Sequence, residues 1–250
     1  MEGGDFTEVA SIYARSRPEY PSAIVDRLVE RSGASPGDEV VEIGAGTGIF
    51  SRLLADRGLR VMAVEPCTAM SAGAATCPGI AWRSGTFEKT GLAPGSCSWV
   101  VAAQAFHWAE TVRALREVRR ILVPSGKFTV LWNCRQFDRN PLVEKTREII
   151  LSLVPGMTPA YSEIDWGPVL CSTSDFTNPS YDVCEHAVSM DRERYLDLWR
   201  GHKRLRLAAG ERQAAVVQAI ERLLEAEGVH EISVPFACRA WTVQRSGSLP

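Results

Sequence analysis

The chain has 250 residues, of which 45% are hydrophobic and 23% are charged, and its formal net charge at pH 7 is −2. This length suits a single domain with its own hydrophobic core. The slight excess of acid argues against a protein built to coat nucleic acid or anionic lipid, and no apolar run is long enough to predict a membrane span. We therefore expect neither nucleic acid nor a membrane as a partner.

The N-terminus and the cysteines point to a reduced, cytoplasmic protein. The N-terminal sequence MEGGDFTEVASIYARSRPEY carries charges where a secretory signal needs an apolar core, so we expect the protein to stay in the cytoplasm. The seven cysteines form neither a CxxC pair nor a close Cys/His ligand set. They are expected to be buried apolar residues, and no metal site is predicted.

The first half of the chain alternates between helical and strand patterns. A lead helix, SAIVDRLVERSG, places Ile24, Val25, Leu28 and Val29 at helical spacing before Gly33 ends it. Strands are then predicted at Glu39–Ile43, Arg60–Val64, Ile80–Arg83, Ser98–Ala103 and Lys127–Trp132, with helical segments between them. This alternation predicts an α/β fold with a parallel sheet and helices on both faces.

A glycine-rich turn after the first strand is the most informative feature of the chain. The stretch VVEIGAGTGIFSRLLADRGLRVMAVE runs from Val40 to Glu65 and contains Gly44, Gly46 and Gly48. Glycines without side-chain bulk let the backbone approach a ligand closely, and a carboxylate roughly 20 residues further on can bind ribose hydroxyls. The stretch therefore predicts half of a nucleoside-binding site, with Glu65 on the sugar.

The spacing of the glycines favours a cofactor without a pyrophosphate. A dinucleotide fingerprint has its third glycine where this chain has Ile49. S-adenosylmethionine has no phosphate and needs instead an anion for its amino group, which Glu42 could supply. A nicotinamide-dependent, NAD(P)-binding reductase remains as an alternative, and so does a noncatalytic nucleoside-binding protein that contacts a partner.

The pattern changes beyond the fifth strand. Pro141–Leu153 is predicted to be helical, whereas Val154 to Ser180 is rich in Pro, Ser, Thr and Gly and is expected to be an irregular lid or substrate wall. Asp191 to Glu227 is predicted to form two charged helices. The final segment, EISVPFACRAWTVQR, has alternating apolar positions and an early proline, which predicts a strand at the sheet edge.

A basic cluster lies in the predicted helices after Asp191. Its members are Arg192, Arg194, Arg200, Lys203, Arg204 and Arg206, with His202 among them. Such a run is usually a solvated helix face. The alternative is that part of it steers an anionic substrate toward the site.

These motifs together resemble the class I S-adenosylmethionine-dependent methyltransferases. EIGAGTG is similar to the first motif of that family, and Glu65 takes the place of the acid that ends its second strand. AWRSGTFEKTGL, SCSWVVAAQAFHW and VPSGKFTVLW look like its third, fourth and fifth strands. The resemblance implies a Rossmann-like doubly wound, mostly parallel seven-stranded sheet, with an antiparallel edge strand and a helical cap over the site.

A narrower resemblance is to small-molecule methyltransferases of the trans-aconitate methyltransferase type. It depends on YARSRPEYP near the N-terminus, on QAFHW and on VPFACRAWTVQR. In such proteins the N-terminal segment folds over the cofactor, so Tyr13 and Arg17 become candidates for cofactor contacts and Tyr20 for a substrate contact. Alternatively, RPEYP caps a helix and its aromatic residue packs on the core.

The resemblance and the strand ends together indicate the remaining site residues. Pro66 follows the ribose-binding acid, and Thr86 with Phe87 occupies the place where many family members carry an acid beside adenine. After the fourth strand, Gln104 is expected on the cofactor side and Trp108 on the substrate side.

His107, also after the fourth strand, is the candidate general base. A base is needed only when the acceptor is a hydroxyl or a protonated amine. The alternative for His107 is a satisfied side chain that shapes the pocket and positions the substrate.

The expected organisation is one methyltransferase domain with four parts. Residues 1–36 form an N-terminal cofactor cover and lead helix, 37–135 the cofactor-binding core, 136–230 a variable cap and substrate region, and 231–245 the final strand. The expected reaction is a direct displacement that moves a methyl group from S-adenosyl-L-methionine to a small molecule and releases S-adenosylhomocysteine. The acceptor and the oligomeric state do not follow from the sequence.

Overall fold

The computed structural model describes residue 12 and residues 16–72, 77–157 and 164–247, which include one seven-stranded sheet of order β3-β2-β1-β4-β5-β7-β6. The strands are β1 Glu39–Ile43, β2 Arg60–Val64, β3 Ile80–Arg83, β4 Cys97–Ala103, β5 Leu122–Arg135, β6 Phe176–Asp191 and β7 Glu231–Arg245. β1 to β5 are parallel, whereas β7 pairs antiparallel with both β5 and β6. The expected Rossmann-like, mostly parallel seven-stranded sheet is confirmed.

Helices precede, connect and follow the strands of the sheet. They are α1 Ser22–Ser32, α2 Ile49–Ala55, α3 Thr68–Ala72, α4 Thr111–Ile121, α5 Pro141–Leu153, α6 Trp166–Leu170, α7 Arg192–Arg200, α8 Lys203–Ala209 and α9 Gln213–Ala226. Gly33 ends α1 as expected, in the left-handed conformation that glycine adopts easily (φ +77°). No helix in the described ranges is both long and apolar enough to cross a membrane.

The position of the last strand differs from the prediction. We expected it at the edge, but β7 lies between β5 and β6, and β6 forms the edge. The strand β6 was not predicted because its sequence looks like a loop, with Asn178 and Pro179 near its start. The structure accommodates them in a register shift between Thr177 and Ser180, where Asn178 has a positive φ of 54°. A proline is tolerated at such an irregularity because it need not donate to the ladder.

The helical cap also differs in detail. Three helices, α7, α8 and α9, follow β6 where two were expected over Asp191 to Glu227. They share a hydrophobic cluster with α5 and the start of β7, which includes Val143, Tyr195, Trp199, Ile220 and Phe236. Two further clusters pack on the sheet itself. The cap thus has its own core beside the carboxyl end of β5.

Candidate functional site

A cavity of about 560 Å³ opens where the parallel strands β1 to β4 reach their carboxyl ends. We call it the loop cavity, because the glycine turn after β1 forms its floor. Its lining residues are Arg17, Pro18, Tyr20, Glu42, Ile43, Gly44, Ala45, Gly46, Thr47, Ile49, Phe50, Glu65, Pro66, Cys67, Thr68, Met70, Thr86, Phe87, Glu88, Ala103, Gln104, Ala105 and Trp108. Ligands of open parallel sheets bind at this end of the strands, so the cavity lies where a cofactor is expected.

The glycines of the turn have two different roles. Gly44 and Gly46 line the cavity with φ values of +74° and +58°. A Cβ on Gly44 would lie 2.5 Å from the Cβ of Ala105, so a side chain is excluded there. Gly48 does not line the cavity. A Cβ on Gly48 would lie only 3.0 Å from Cζ2 of the Trp82 ring, so the glycine leaves room for that ring. The first two glycines open the floor, whereas the third allows close packing.

Glu65 joins the turn to the end of β2. It is buried, its Oε2 accepts a hydrogen bond from the Gly46 N–H at 2.8 Å, and its Oε1 accepts one from the Cys67 N–H at 2.9 Å. Burial raises the pKa of this carboxyl, while the two N–H donors lower it. Each carboxylate oxygen has two lone pairs, so Glu65 keeps the capacity to accept from ligand hydroxyls.

Glu42 lies deeper, at the end of β1, and is 1% exposed. Its Oε2 accepts a short hydrogen bond from the Ser51 hydroxyl. Burial raises the pKa of Glu42 to about 8, and the nearby charge of Glu65 adds to the rise. The carboxyl is therefore mainly protonated at pH 7 without a bound cation, so Glu42 is an anion only when a positive group lies beside it.

The charges and an unpartnered hydroxyl indicate which kind of cofactor fits. Three glutamates line the loop cavity, against one arginine, Arg17. Such a wall suits a cation and disfavours a diphosphate. The sequence did not draw attention to Thr47, whose buried Oγ1 has no hydrogen-bond partner among the described residues. The loop cavity therefore fits a positively charged nucleoside such as S-adenosylmethionine.

The end of β3 contributes an aromatic wall and a polar rim. Phe87 is buried edge-to-face against Phe106, with ring centroids 5.5 Å apart. Thr86 forms an isolated backbone bridge with Lys89, with N···O distances of 3.0 and 3.2 Å. The Glu88 Oε1 accepts from the Glu110 N–H at 2.8 Å. This region combines a flat apolar surface with exposed hydrogen-bonding groups, as a purine base requires.

Gln104 has an unusual backbone at the end of β4. Its φ is +58°, a conformation that non-glycine residues rarely adopt. The backbone N–H donates to Leu131 O at 2.8 Å, and the side-chain Nε2 donates to Asn133 O at 3.2 Å. These bonds to β5 hold the strained residue on the cavity wall.

His107 lies next to the loop cavity but is not part of its wall. Its Nδ1 accepts a hydrogen bond from the Trp132 Nε1–H at 3.1 Å. The indole can only donate, so the neutral imidazole carries its proton on Nε2. Burial, together with the smaller effect of the charges of Arg204 and Arg17, lowers the pKa of His107 to about 3. The ring is thus a neutral donor near pH 7, with its basic nitrogen already engaged.

The N-terminal segment closes one side of the loop cavity. Arg17 and Tyr20 line it, and Tyr20 also packs edge-to-face on Phe50, with ring centroids 5.0 Å apart. Covering the cavity and packing on the core are therefore compatible for Tyr20. Tyr13 lies outside the described residues.

A second cavity, of about 580 Å³, lies beyond the carboxyl end of β5 and below the cap. We call it the arginine cavity; it shares Arg17 and Pro18 with the loop cavity. The other lining residues are Asn133, Cys134, Arg135, Gln136, Phe137, Asp138, Glu144, Arg147, Ile150, Leu151, Met157, Trp199, His202, Arg204, Phe236 and Arg239. The sequence analysis did not single out Arg135, Arg147 or Arg239, although Arg135 ends β5, where site residues are expected.

The basic cluster of the cap is divided between the surface and this second cavity. Arg204 and His202 line the arginine cavity. Arg192 instead pairs with Glu221 and Glu225, and Arg200 with Glu193 and Asp197. Most of the cluster is accordingly not positioned on the cavity wall.

Comparison with known proteins gives a family match over the cofactor-binding strands. A family profile described as "methyltransferase domain" matches residues 41–130. An uncharacterized methyltransferase of Mycobacterium bovis is 36% identical over 146 residues, which are 58% of this chain and 58% of the relative. A demethylmenaquinone methyltransferase of Beutenbergia cavernae is 32% identical over 134 residues, 51% of this chain and 55% of the relative. The chain thus spans little more than half the length of these curated relatives.

Solved structures extend the similarity to nearly the whole fold. A proposed type II methyltransferase from Anaeromyxobacter dehalogenans superposes with a TM-score of 0.69 at 24% identity, covering 92% of this chain and 97% of the other. A phosphoethanolamine N-methyltransferase from Haemonchus contortus, solved with S-adenosyl-L-methionine, gives a TM-score of 0.54 at 14% identity. That match covers 97% of this chain and 58% of the other. At these identities the likeness establishes the fold.

Proposed function

We propose that this chain, which belongs to the class I S-adenosylmethionine-dependent methyltransferases, transfers a methyl group from S-adenosylmethionine to a small-molecule acceptor. The observation that carries the proposal is the wall of the loop cavity, which contains three glutamates, the bare glycine turn and the Thr47 hydroxyl, for which the described residues offer no hydrogen-bond partner. A cationic nucleoside satisfies these groups better than a nicotinamide dinucleotide with its two phosphates.

Each part of the loop cavity has a proposed task in holding the donor. Glu42 would accept from the amino group, and Glu65 from the ribose hydroxyls. The backbone of Gly44 and Gly46 would lie against the body of the ligand. Phe87 would pack against adenine, with Thr86, Glu88 and Pro66 at the rim. Gln104 and Arg17 would close the side toward the arginine cavity, and Tyr13 remains a candidate for the cover.

The chemistry requires alignment more than proton transfer. The bound donor supplies a sulfonium methyl; the acceptor atom forms a bond to that carbon while the carbon–sulfur pair returns to sulfur, leaving neutral S-adenosylhomocysteine. Tyr20 and Trp108 are proposed to orient the acceptor and exclude water. Positioning of this kind can lower a barrier by about 7–11 kcal/mol.

His107 is proposed to position the acceptor site. Its Nδ1 is occupied by the Trp132 indole, and burial lowers its pKa to about 3, which makes it a poor proton acceptor near pH 7. The neutral ring instead carries its proton on Nε2, which can donate a hydrogen bond. An acceptor whose attacking atom is already ionised, such as a carboxylate oxygen or a thiolate sulfur, loses no proton and needs no base.

Titration calorimetry and methyl labelling test this function directly. The full chain should bind S-adenosylmethionine about 100-fold more tightly than NADP⁺, a difference of about 2.7 kcal/mol. Incubation with methyl-labelled donor and small-molecule extract should transfer label to an acceptor. Tighter binding of NADP⁺ would contradict the proposal, whereas donor binding without any transfer would support the noncatalytic alternative.

A further inference from the structure

We infer that Gln104 determines which kind of acceptor is methylated: its side-chain oxygen Oε1 accepts a hydrogen bond from an uncharged amine nitrogen, and that nitrogen attacks the methyl group. This inference rests on the proposed function, because it names the class of molecule that receives the methyl group. Three features support it, which are the strained backbone of Gln104, the bonds that fix its amide group and the supply of proton acceptors near the end of β4.

The backbone of Gln104 is strained at the wall of the loop cavity. Its φ of +58° is shared, among the non-glycine residues that the structure describes, only by the positive values of Ser125 and Asn178. Neither of those two residues lines the loop cavity. A bulky residue keeps this conformation only where the surrounding structure holds it, and such residues cluster at functional sites. The strain therefore directs attention to what the Gln104 side chain does.

Two hydrogen bonds to β5 fix the orientation of the amide group. The backbone N–H of Gln104 donates to Leu131 O at 2.8 Å, and the side-chain Nε2 donates to Asn133 O at 3.2 Å. A backbone carbonyl can only accept, so the NH₂ end of the amide has to face Asn133. Because the amide is planar, this arrangement turns Oε1 away from β5.

The oxygen Oε1 retains the capacity to accept a hydrogen bond. No donor to it is found in the part of the chain that the structure describes, and it is not one of the buried side-chain atoms that lack a partner. It therefore has accessible surface, and the cavity that Gln104 lines is the loop cavity. An amide oxygen at this place attracts an N–H or O–H group and repels a carboxylate or a thiolate.

Gln104 lies where donor and acceptor have to meet. It follows β4, which lies between β1 and β5 in the sheet. Glu42, on the β1 side, is proposed to bind the donor, whereas Asn133, on the β5 side, lines the arginine cavity. A molecule that reaches the loop cavity from the arginine cavity therefore passes Gln104 as it approaches the donor. Transfer requires this proximity.

The proton balance favours nitrogen over oxygen as the attacking atom. A neutral amine attacks with its lone pair: the nitrogen–carbon bond forms, the carbon–sulfur pair returns to sulfur, and the resulting ammonium loses its proton to water after release. A hydroxyl instead needs a base during transfer. His107 is a poor one, since its Nδ1 accepts from Trp132 and its pKa is about 3. An amine needs only the orientation that Gln104 provides.

Nearby positive charges favour the neutral form of such an amine. Arg17 and Arg204 are among the causes that lower the pKa of His107, which follows β4 close to Gln104 in the sequence. They act in the same direction on an amine beside that ring, and the sulfonium of a bound donor adds to the effect. The carboxylate of Glu42 acts in the opposite direction, but in the proposed complex it is paired with the amino group of the donor.

A methyl-labelling experiment on the full chain identifies the attacking atom. The chain is incubated with S-adenosylmethionine that carries an isotopically labelled methyl carbon and with small-molecule extract. Carbon NMR of the products then reports whether the methyl is bonded to nitrogen, oxygen, sulfur or carbon. We expect N-methyl products from the amine fraction, which a cation exchanger retains at low pH. Methyl bonded only to other atoms would overturn this inference alone, whereas no labelled product would contradict the proposed function itself.

A variant without the amide connects the effect to Gln104. Gln104→Met keeps the length of the side chain and should lower transfer to the amine fraction at least about tenfold, because the attacking nitrogen loses its hydrogen-bond partner. Donor affinity in calorimetry should change less than about threefold. Gln218→Met, at an exposed position on α9, is the matched control and should keep full transfer. Undiminished transfer in Gln104→Met would contradict the inference.

The pH profile separates contact with the amine from a merely structural role. Gln104→Glu keeps the size of the side chain and places a carboxylate beside the amine, which stabilises its ammonium form. The midpoint of the rate of transfer to the amine fraction, measured against pH at saturating donor, should therefore rise by about one unit. This variant also serves if Gln104→Met does not fold. A slower rate with an unshifted midpoint would leave Gln104 with a structural role and overturn the inference.

Discussion

The two cavities differ in how far apart in the sequence their charged residues lie. The floor of the loop cavity and two of its three glutamates, Glu42 and Glu65, come from one stretch of 26 residues, Val40 to Glu65. The arginine cavity takes its charged groups from positions between Arg17 and Arg239. A local constellation can be recognised in a sequence because its spacing is set by one strand, one turn and one helix. A set of residues that are far apart in the sequence can be recognised as one site only in the folded structure, where the strands are paired.

Filling the floor of the loop cavity is expected to have the largest effect on donor binding. Gly46→Arg should reduce S-adenosylmethionine binding by about 100-fold or more, because the side chain enters the cavity at a positive φ. Gly95→Arg is the matched control, since Gly95 also has a positive φ but opens on free space. Calorimetry should show normal affinity in the control. Normal affinity in Gly46→Arg would contradict the site.

A smaller change removes the proposed contact of Glu65 with the ribose. Glu65→Ala should weaken donor binding by about tenfold to 100-fold, since it removes a carboxylate that also holds the turn through Gly46 and Cys67. Glu39→Ala, at an exposed position on β1, is the control. If donor affinity is the same in the two variants, the ribose assignment is wrong.

Glu42 provides a test through pH. Its pKa is about 8 in the folded chain and near 4.5 when unfolded, so the folded state holds the extra proton between these values. The stability contributed by this group is complete below pH 4.5 and is lost as pH rises through about 8. Glu42→Gln, which cannot ionise, should therefore be more stable relative to the unmodified chain at pH 9 than at pH 5.

Denaturant unfolding at pH 5 and pH 9 measures that difference. Donor binding at pH 7 should also release a proton, because the cation stabilises the ionised form of Glu42. Calorimetry in buffers with different ionisation enthalpies reports that release. A difference between the variants that does not change with pH would show that Glu42 is not protonated in the folded chain.

The smallest effect is expected at His107. His107→Asn should reduce turnover by less than about tenfold if, as we propose, the residue positions the acceptor and does not take the proton. The profile of kcat against pH should show no inflection that belongs to this histidine between pH 5 and 8, since its pKa is about 3. Loss of an inflection near pH 6.5, together with a large loss of turnover, would restore the role of general base.

The sequence alone determined the strands β1, β2 and β3 to the residue, the glycine turn and the acids Glu42 and Glu65. These features follow from spacing within a few dozen residues, where strand and helix periodicity dictate which groups meet. The likeness to a known family added the expectation of a seven-stranded sheet and of S-adenosylmethionine as the donor.

The strand order, the surroundings of His107 and Glu42 and the grouping of the distant arginines depend on the tertiary structure. It placed β7 inside the sheet, with β6 at its edge, because a strand's position depends on which partner pairs with it and not on its own pattern. It also paired His107 with Trp132 and buried both His107 and Glu42, and burial lowers the pKa of the histidine and raises that of the glutamate. The arginines of the second cavity met for the same reason: pairing of distant strands and packing of the cap brought them together.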